Sequence, residues 1–246
     1  MGSLNDKTAL VTGGSRGIGA AIATRLAAEG ARVALTYNSS PGKANAVVDR
    51  IVADGGTAIA VPAAMEDPQQ VEAAVTTTVE TFGGVDILVN NAGIFRYGLI
   101  DELTIADYER TMAVHARAAF AAVLAAVPHL GQGGRIISIG SNFADRALGQ
   151  GISLYAMSKS ALVGFTKGLA RDLGPRGITA VVVHPGSTDT DMNPADSAGA
   201  EDQRALTALG HYATTDDIAA TVAHLAGPAG AYITGTTITV DGGVNA

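Results

Sequence analysis

Short, unbroken apolar runs alternate with longer amphipathic segments along the whole chain, and glycines stand at most of the junctions. The runs at 8–12, 32–36, 57–61, 86–90, 135–139, 178–183 and 237–240 are rich in Val, Ile and Leu and have the length of strands. A strand with one wet face alternates apolar and polar residues; a continuous apolar run marks a strand covered on both faces. The segments 18–29, 43–53, 69–82, 105–127, 154–173 and 216–226 read as helices. They are closed by Gly30, Gly55, Gly83, Pro128 and Gly174, with Gly227 after the last. Strand and helix in strict alternation predict an α/β, doubly wound, mostly parallel sheet of seven strands with helices on both faces. The 246 residues form a single domain, 1–246. Residues 193–211 have weak periodicity and read either as a partly helical flap over a site or as a surface excursion.

Composition narrows the function. Charged residues are only 16% of the chain, too few for a disordered segment. The net charge of −7 argues against nucleic-acid binding as the main task. The absence of cysteine excludes disulfides, thiol nucleophiles and cysteine-held metals, and no metal is expected. With no apolar run of transmembrane length and a polar start lacking a leader pattern, a cytoplasmic protein with no membrane partner is expected.

The first strand runs into Thr12-Gly13-Gly14-Ser15-Arg16-Gly17-Ile18-Gly19 and then into a helix. Glycines there let the backbone turn tightly and approach a pyrophosphate, while the helix start offers free N–H groups. The second strand ends in Thr36-Tyr37-Asn38-Ser39-Ser40, without the acid that would bind the ribose 2′-hydroxyl of NAD. Arg16 can meet a 2′-phosphate with its planar fork, and Asn38 and Ser39 can add hydrogen bonds. NADP(H) is therefore the expected coenzyme, with NAD(H) the alternative.

Tyr155 and Lys159 lie four apart at a helix start and share one face. An ammonium beside a phenol favours its ionised form, which would bring the Tyr155 pKa closer to neutrality. Ser141 follows the fifth strand, at the carboxyl end of the sheet where open α/β folds bind ligands. It is placed to hydrogen-bond a carbonyl oxygen beside Tyr155.

Together, the Gly13–Gly19 turn, Asn90-Asn91-Ala92-Gly93, Ser141 with Tyr155 and Lys159, Pro185-Gly186 with Thr190, and Val240-Asp241-Gly242-Gly243 resemble the short-chain dehydrogenase/reductase family, in its single-domain Rossmann branch. The resemblance covers essentially the whole chain. It implies hydride transfer between NADP(H) and a ketone or secondary alcohol, with Tyr155 as acid/base, Ser141 orienting the carbonyl and Lys159 also holding the nicotinamide ribose. It places Asn91, Ala92 and Gly93 near the adenosine ribose, or in a purely structural role. Pro185, Gly186, Thr188 and Thr190 fall near the nicotinamide carboxamide, and the Val240–Gly243 stretch near a subunit contact. It also implies a homo-oligomer, a tetramer.

Departures from the family pattern are visible. Where the family has Asn in the long helix, this chain has His115, which either takes a proton-relay or coenzyme-lining role or packs against the helix. Where the family has an adenine-reading Asp after the third strand, this chain has Ala64, leaving Met65 to offer backbone contacts. Ser141 and Tyr155 are separated by one residue more than in many members. Substrate walls are expected from Ile94-Phe95-Arg96, Asn142-Phe143-Ala144, Gln150-Gly151 and the 193–211 flap, and Phe95 and Phe143 suggest an apolar carbonyl compound. The departures give weight to a second reading, a catalytically silent NADP(H)-binding sensor or partner protein.

Overall fold

The computed structural model describes residues 2–246. Its centre is a seven-stranded sheet in the order β3-β2-β1-β4-β5-β6-β7. The strands are β1 (Thr8–Val11), β2 (Arg32–Tyr37), β3 (Thr57–Pro62), β4 (Ile87–Asn90), β5 (Arg135–Ile139), β6 (Thr179–Pro185) and β7 (Thr236–Val240). Every neighbouring pair is parallel. The sheet is thus wholly parallel, where the sequence implied mostly parallel. The chain reverses its direction of travel between β1 and β4, which opens a crevice at their carboxyl ends.

The alternation inside each apolar run explains why both faces are covered. Ala9 and Val11, Ile87 and Val89, Ile137 and Ile139, and Val181 and Val183 point to one side. There they meet Ile22 and Leu26 of α1 (Gly17–Ala28) and Ile218 and Val222 of α8 (Thr215–Ala226). The residues between them, Leu10, Leu88, Ile136 and Ala180, point to the other side. Their partners are Val71 and Val75 of α3 (Pro68–Phe82), Val123 of α5 (Ala118–Ala126) and Leu169 of α6 (Ser153–Leu173). Each large aliphatic side chain so buried contributes about 1.5–3 kcal/mol. The remaining helix on the outer edge, α2 (Pro41–Ala53), packs Ala44, Val47 and Ile51 against the first cluster.

The helix expected over 105–127 is interrupted. It consists of α4 (Ile105–Met112), a π-helical segment over Ala113–Arg117, and α5. A π turn adds one residue to the helical circuit and tends to mark a functional position; here it carries His115. Residues 193–211 contain the short helix α7 (Ala200–Leu206). This segment is tied down: Gln203 and Asn193 exchange two side-chain hydrogen bonds, and Ser187 Oγ donates to Gln203. No helix among the described residues is long and apolar enough to cross a membrane.

Candidate active site

A cleft of about 770 Å³ opens at the carboxyl ends of the strands, a size typical of small-molecule and cofactor sites. The turn after β1 forms one end. Gly13 has φ +66°, and a Cβ there would stand 2.9 Å from the Cα of Ala92. A Cβ on Gly19 would stand 2.3 Å from the Gly13 carbonyl oxygen and 2.4 Å from the Asn91 amide nitrogen. Asn91 pins this turn by donating from Nδ2 to the carbonyls of Thr12 (2.9 Å) and Gly13 (3.1 Å). Thr12 Oγ1 in turn accepts from the amides of Asn91 and Ala92. The start of α1 has neither a side-chain cap nor an acid in its first turn. Its N–H groups and dipole therefore face the cleft unopposed, as an anion site requires.

At the same end Arg16, Tyr37, Asn38 and Ser39 line the cleft together. Arg16 lies 3.8 Å from Asp191, and Lys43 lies 2.8 Å from the same carboxylate oxygen. Nothing in the sequence marks this pairing, because Lys43 and Asp191 are 148 residues apart. Ala63 and Met65 belong to the wall, whereas Ala64 does not; the Ala64 amide is turned toward Gln70 Oε1 at 2.9 Å. Gly93, Pro185, Gly186, Thr188 and Thr190 also line the cleft, with Thr190 beside Gly17 and Gly93 beside Lys159.

Ser141, Tyr155 and Lys159 meet at the other end. Lys159 is buried and its Nζ donates to the Ile139 carbonyl at 2.9 Å. Burial pulls its ammonium down to about 8. That Nζ stands 5.8 Å from the centre of the Tyr155 ring. The four-residue spacing predicts that Lys159 lowers the Tyr155 pKa; instead burial of the phenol dominates and pushes it up to about 12, with the Ser141 hydroxyl pulling the other way. An ammonium already committed to a backbone carbonyl is a weaker influence on the phenol than the loss of water.

Three rings surround Tyr155. Phe95 meets it edge-on at 4.9 Å, His115 at 5.6 Å and Phe143 at 6.3 Å between centroids. Phe95, Asn142 and Phe143 line the cleft, and so do Tyr97, Ile152 and Met192. Gln150 does not: it is exposed on the loop before Gly151, whose positive φ turns the chain back toward α6.

His115 sits behind this end rather than in the cleft wall, and is 3% exposed. Its Nε2 accepts from the Ile94 amide at 3.0 Å, and its Nδ1 lies 2.8 Å from Ser158 Oγ. Ser158 Oγ donates to the Tyr155 carbonyl at 2.7 Å. The order of donors fixes the tautomer, with the proton on Nδ1. Desolvation first, and the charge of Lys159 second, pull the His115 pKa down to about 2.

The comparisons agree with this geometry. Residues 13–245 match the protein-family model described as enoyl-(acyl carrier protein) reductase. A short-chain dehydrogenase from Burkholderia cenocepacia J2315, solved in complex with NADP, is 59% identical and superposes with a TM-score of 0.98, covering 99% of this chain and 100% of that one. The cyclic-di-GMP-binding biofilm dispersal mediator protein of Escherichia coli K12 is 42% identical, with both chains covered in full. A 3-oxoacyl-[acyl-carrier-protein] reductase of Synechocystis is 39% identical over 99% of each chain. A wholly parallel sheet, a glycine turn ahead of an uncapped helix, and Ser141, Tyr155 and Lys159 gathered at one end of the cleft thus accompany full-length similarity to such enzymes: the chain belongs to the short-chain dehydrogenase/reductase family.

Proposed function

We propose that this protein is an NADP(H)-dependent carbonyl reductase and secondary-alcohol dehydrogenase with Tyr155 as its acid/base. The observation that carries the reading is the convergence of Ser141, Tyr155 and Lys159 at one end of a cleft whose other end is a glycine turn with Arg16. The cradle fits a dinucleotide: a Cβ at Gly13 would collide with Ala92, and one at Gly19 with the Gly13 carbonyl and Asn91, so only glycine permits the tight turn that brings backbone N–H groups to a pyrophosphate. The open start of α1 suits the phosphates. Arg16, Asn38 and Ser39, with no acid at the end of β2, suit a 2′-phosphate. The NADP bound by the Burkholderia relative supports the same coenzyme here.

When bound, the reduced nicotinamide supplies a hydride to the carbonyl carbon. The protein does the rest. Ser141 Oγ donates a hydrogen bond to the carbonyl oxygen and fixes its direction. As the C=O electron pair collects on that oxygen, Tyr155 gives it the phenolic proton. A phenol with a pKa near 12 is fully protonated at neutral pH, and an alkoxide is the stronger base, so the transfer runs downhill. Lys159 restores the proton balance of the phenol and holds the nicotinamide ribose. Asn91, Gly93, Thr188 and Thr190 position the coenzyme. His115, with both ring nitrogens already bonded, stays neutral and braces Tyr155 through Ser158 and through its own edge-on ring contact. The aromatic walls from Phe95 and Phe143, extended by Ile152 and Met192, favour an uncharged apolar ketone. Exposed Phe120 and Leu124 on α5 and the fully exposed Tyr232 supply apolar surface for the expected tetramer.

The test is NADPH oxidation across a panel of aliphatic and aromatic ketones. Turnover of uncharged ketones supports the reading. The described ligand of the E. coli relative favours a second one, a coenzyme-bound protein that senses rather than reacts. Tight NADPH binding without turnover of any ketone or alcohol would select it.

A further inference from the structure

His184 is the last residue but one of β6 and has no exposed surface. The backbone ladder between β5 and β6 ends with the Gly140 amide donating to the Val183 carbonyl at 2.7 Å. The next amide, that of Ser141, finds no backbone partner. It donates to His184 Nδ1 at 2.9 Å. The side chain of His184 therefore supplies the acceptor that the backbone does not, at the point where the chain leaves the sheet. The residue between them has to be small: a Cβ on Gly140 would stand 2.3 Å from His184 Nδ1 and 2.5 Å from its Cε1. From that anchored amide, Ser141 opens the turn over Asn142–Ala144, its Oγ accepting from the Phe143 amide at 3.2 Å.

An Nδ1 that accepts leaves the ring proton on Nε2. Nε2 is buried without a partner and lies 3.9 Å from Asp145 Oδ2, on the loop that follows Phe143. Asp145 and Lys159 are the charged groups facing the ring, and they act on it in opposite directions. A second proton on the ring would set two donors, Nδ1–H and the Ser141 amide, against each other.

We propose that His184 is a positioning residue for carbonyl reduction: as a neutral ring protonated on Nε2 it holds the Ser141 amide, and through it aims the Ser141 hydroxyl at the substrate oxygen beside Tyr155. The proposal rests on the roles assigned above to Ser141 and Tyr155. His184 touches neither substrate nor coenzyme and acts only through Ser141.

The test compares His184→Asn with His184→Gln in the full chain. The Asn oxygen stands where Nδ1 stands and can accept from Ser141; the Gln oxygen reaches one carbon further, toward the Nε2 position. Both are polar and of similar cost to the fold. With a ketone the wild type reduces, His184→Gln is expected to lower kcat about 10-fold or more, since misplacement of a catalytic group by an ångström can cost about 100-fold. His184→Asn is expected to stay within about 3-fold of wild type, the hydrogen bond being kept. The Kd for NADPH stays unchanged in both. Equal losses in the two variants that follow their Tm values, or no loss in either, would overturn the proposal. Nitrogen-15 NMR of the wild type at pH 7 gives a check independent of turnover: Nδ1 unprotonated and Nε2 protonated is expected, and the reverse tautomer would overturn it. If no ketone is reduced at all, the functional reading fails first. The carbon-13 shift of the Tyr155 Cζ then decides: displaced in His184→Gln and restored in His184→Asn supports the positioning role, unmoved in both contradicts it.

Discussion

His115 Nδ1 lies 2.8 Å from Ser158 Oγ, so the proton on that nitrogen is committed to a side chain whose own proton goes to the Tyr155 carbonyl. With Nε2 accepting from Ile94, no lone pair of the ring is left to take a proton. The His115 pKa is pulled from 6.5 to about 2, by burial first and Lys159 second. In the unfolded chain the imidazole titrates near its ordinary value, so below pH 6.5 the unfolded state binds a proton that the folded state refuses. The stability tied to this group is therefore present above pH 6.5 and lost progressively as the pH falls. Thermal melts from about pH 7 to about pH 4.5 check it: His115→Asn is expected to lose Tm less steeply than wild type. His184, also held low by burial, is common to both proteins and cancels. Parallel curves would refute the assignment.

Lys159 makes a prediction of opposite appearance. Its ammonium, pulled to about 8 by burial, is charged below that pH and neutral above it. The profile of kcat/KM for NADPH reports groups of the free enzyme. It is expected to be flat near neutrality and to fall above about pH 8. Tyr155 stays protonated throughout this window, so the descending limb belongs to Lys159. Lys159→Arg, whose guanidinium keeps its charge, should remove the limb while lowering the plateau. A profile flat to pH 10 in the wild type would contradict the assignment.

Much of this architecture is legible in the chain because β1, β4, β5 and β6 are covered on both faces and so carry unbroken apolar runs. Tyr155 and Lys159 are equally legible, since spacing of four on a helix fixes a shared face. The π turn at Ala113–Arg117 is not. Its sequence holds no Gly or Pro, and the extra residue is accommodated where His115 reaches Ile94 and Ser158, contacts made only in the folded chain. His184 is hidden for the same reason: a lone histidine before Pro185 carries no period or motif, and its role depends on Ser141, 43 residues earlier. The expected lowering of the Tyr155 pKa by Lys159 fails because spacing gives proximity but not the burial that opposes ionisation.

Arg16 and Asp191 are expected to set the coenzyme preference. Arg16→Ala is expected to lower kcat/KM for NADPH by about 10- to 100-fold, the loss of one or two charge-assisted hydrogen bonds. Its effect on NADH should be small. Asp191→Asn releases both Arg16 and Lys43 from a competing carboxylate and is expected to tighten NADPH binding a few-fold, more at low salt than at high. Titrations with the two coenzymes check both. An Arg16→Ala variant that loses NADH and NADPH alike would contradict the 2′-phosphate role.

Assembly can be tested on α5. Phe120 is 56% and Leu124 66% exposed in the single chain, a poor arrangement for apolar side chains on a monomer surface. Light scattering is expected to give a tetramer for the wild type and smaller species for a Phe120→Ser, Leu124→Ser variant. A monomeric wild type at micromolar concentration would refute the expectation.

The central claim is that the Tyr155 hydroxyl delivers the proton. Steady-state NADPH oxidation by Tyr155→Phe, with its NADPH Kd measured alongside, addresses it most directly, because the change removes one oxygen and leaves the ring among Phe95, Phe143 and His115. The expected result is coenzyme binding within a few-fold of wild type and kcat lowered by about 100- to 10,000-fold, the span for loss of a general acid. Ketone reduction by Tyr155→Phe at the wild-type rate would contradict the account.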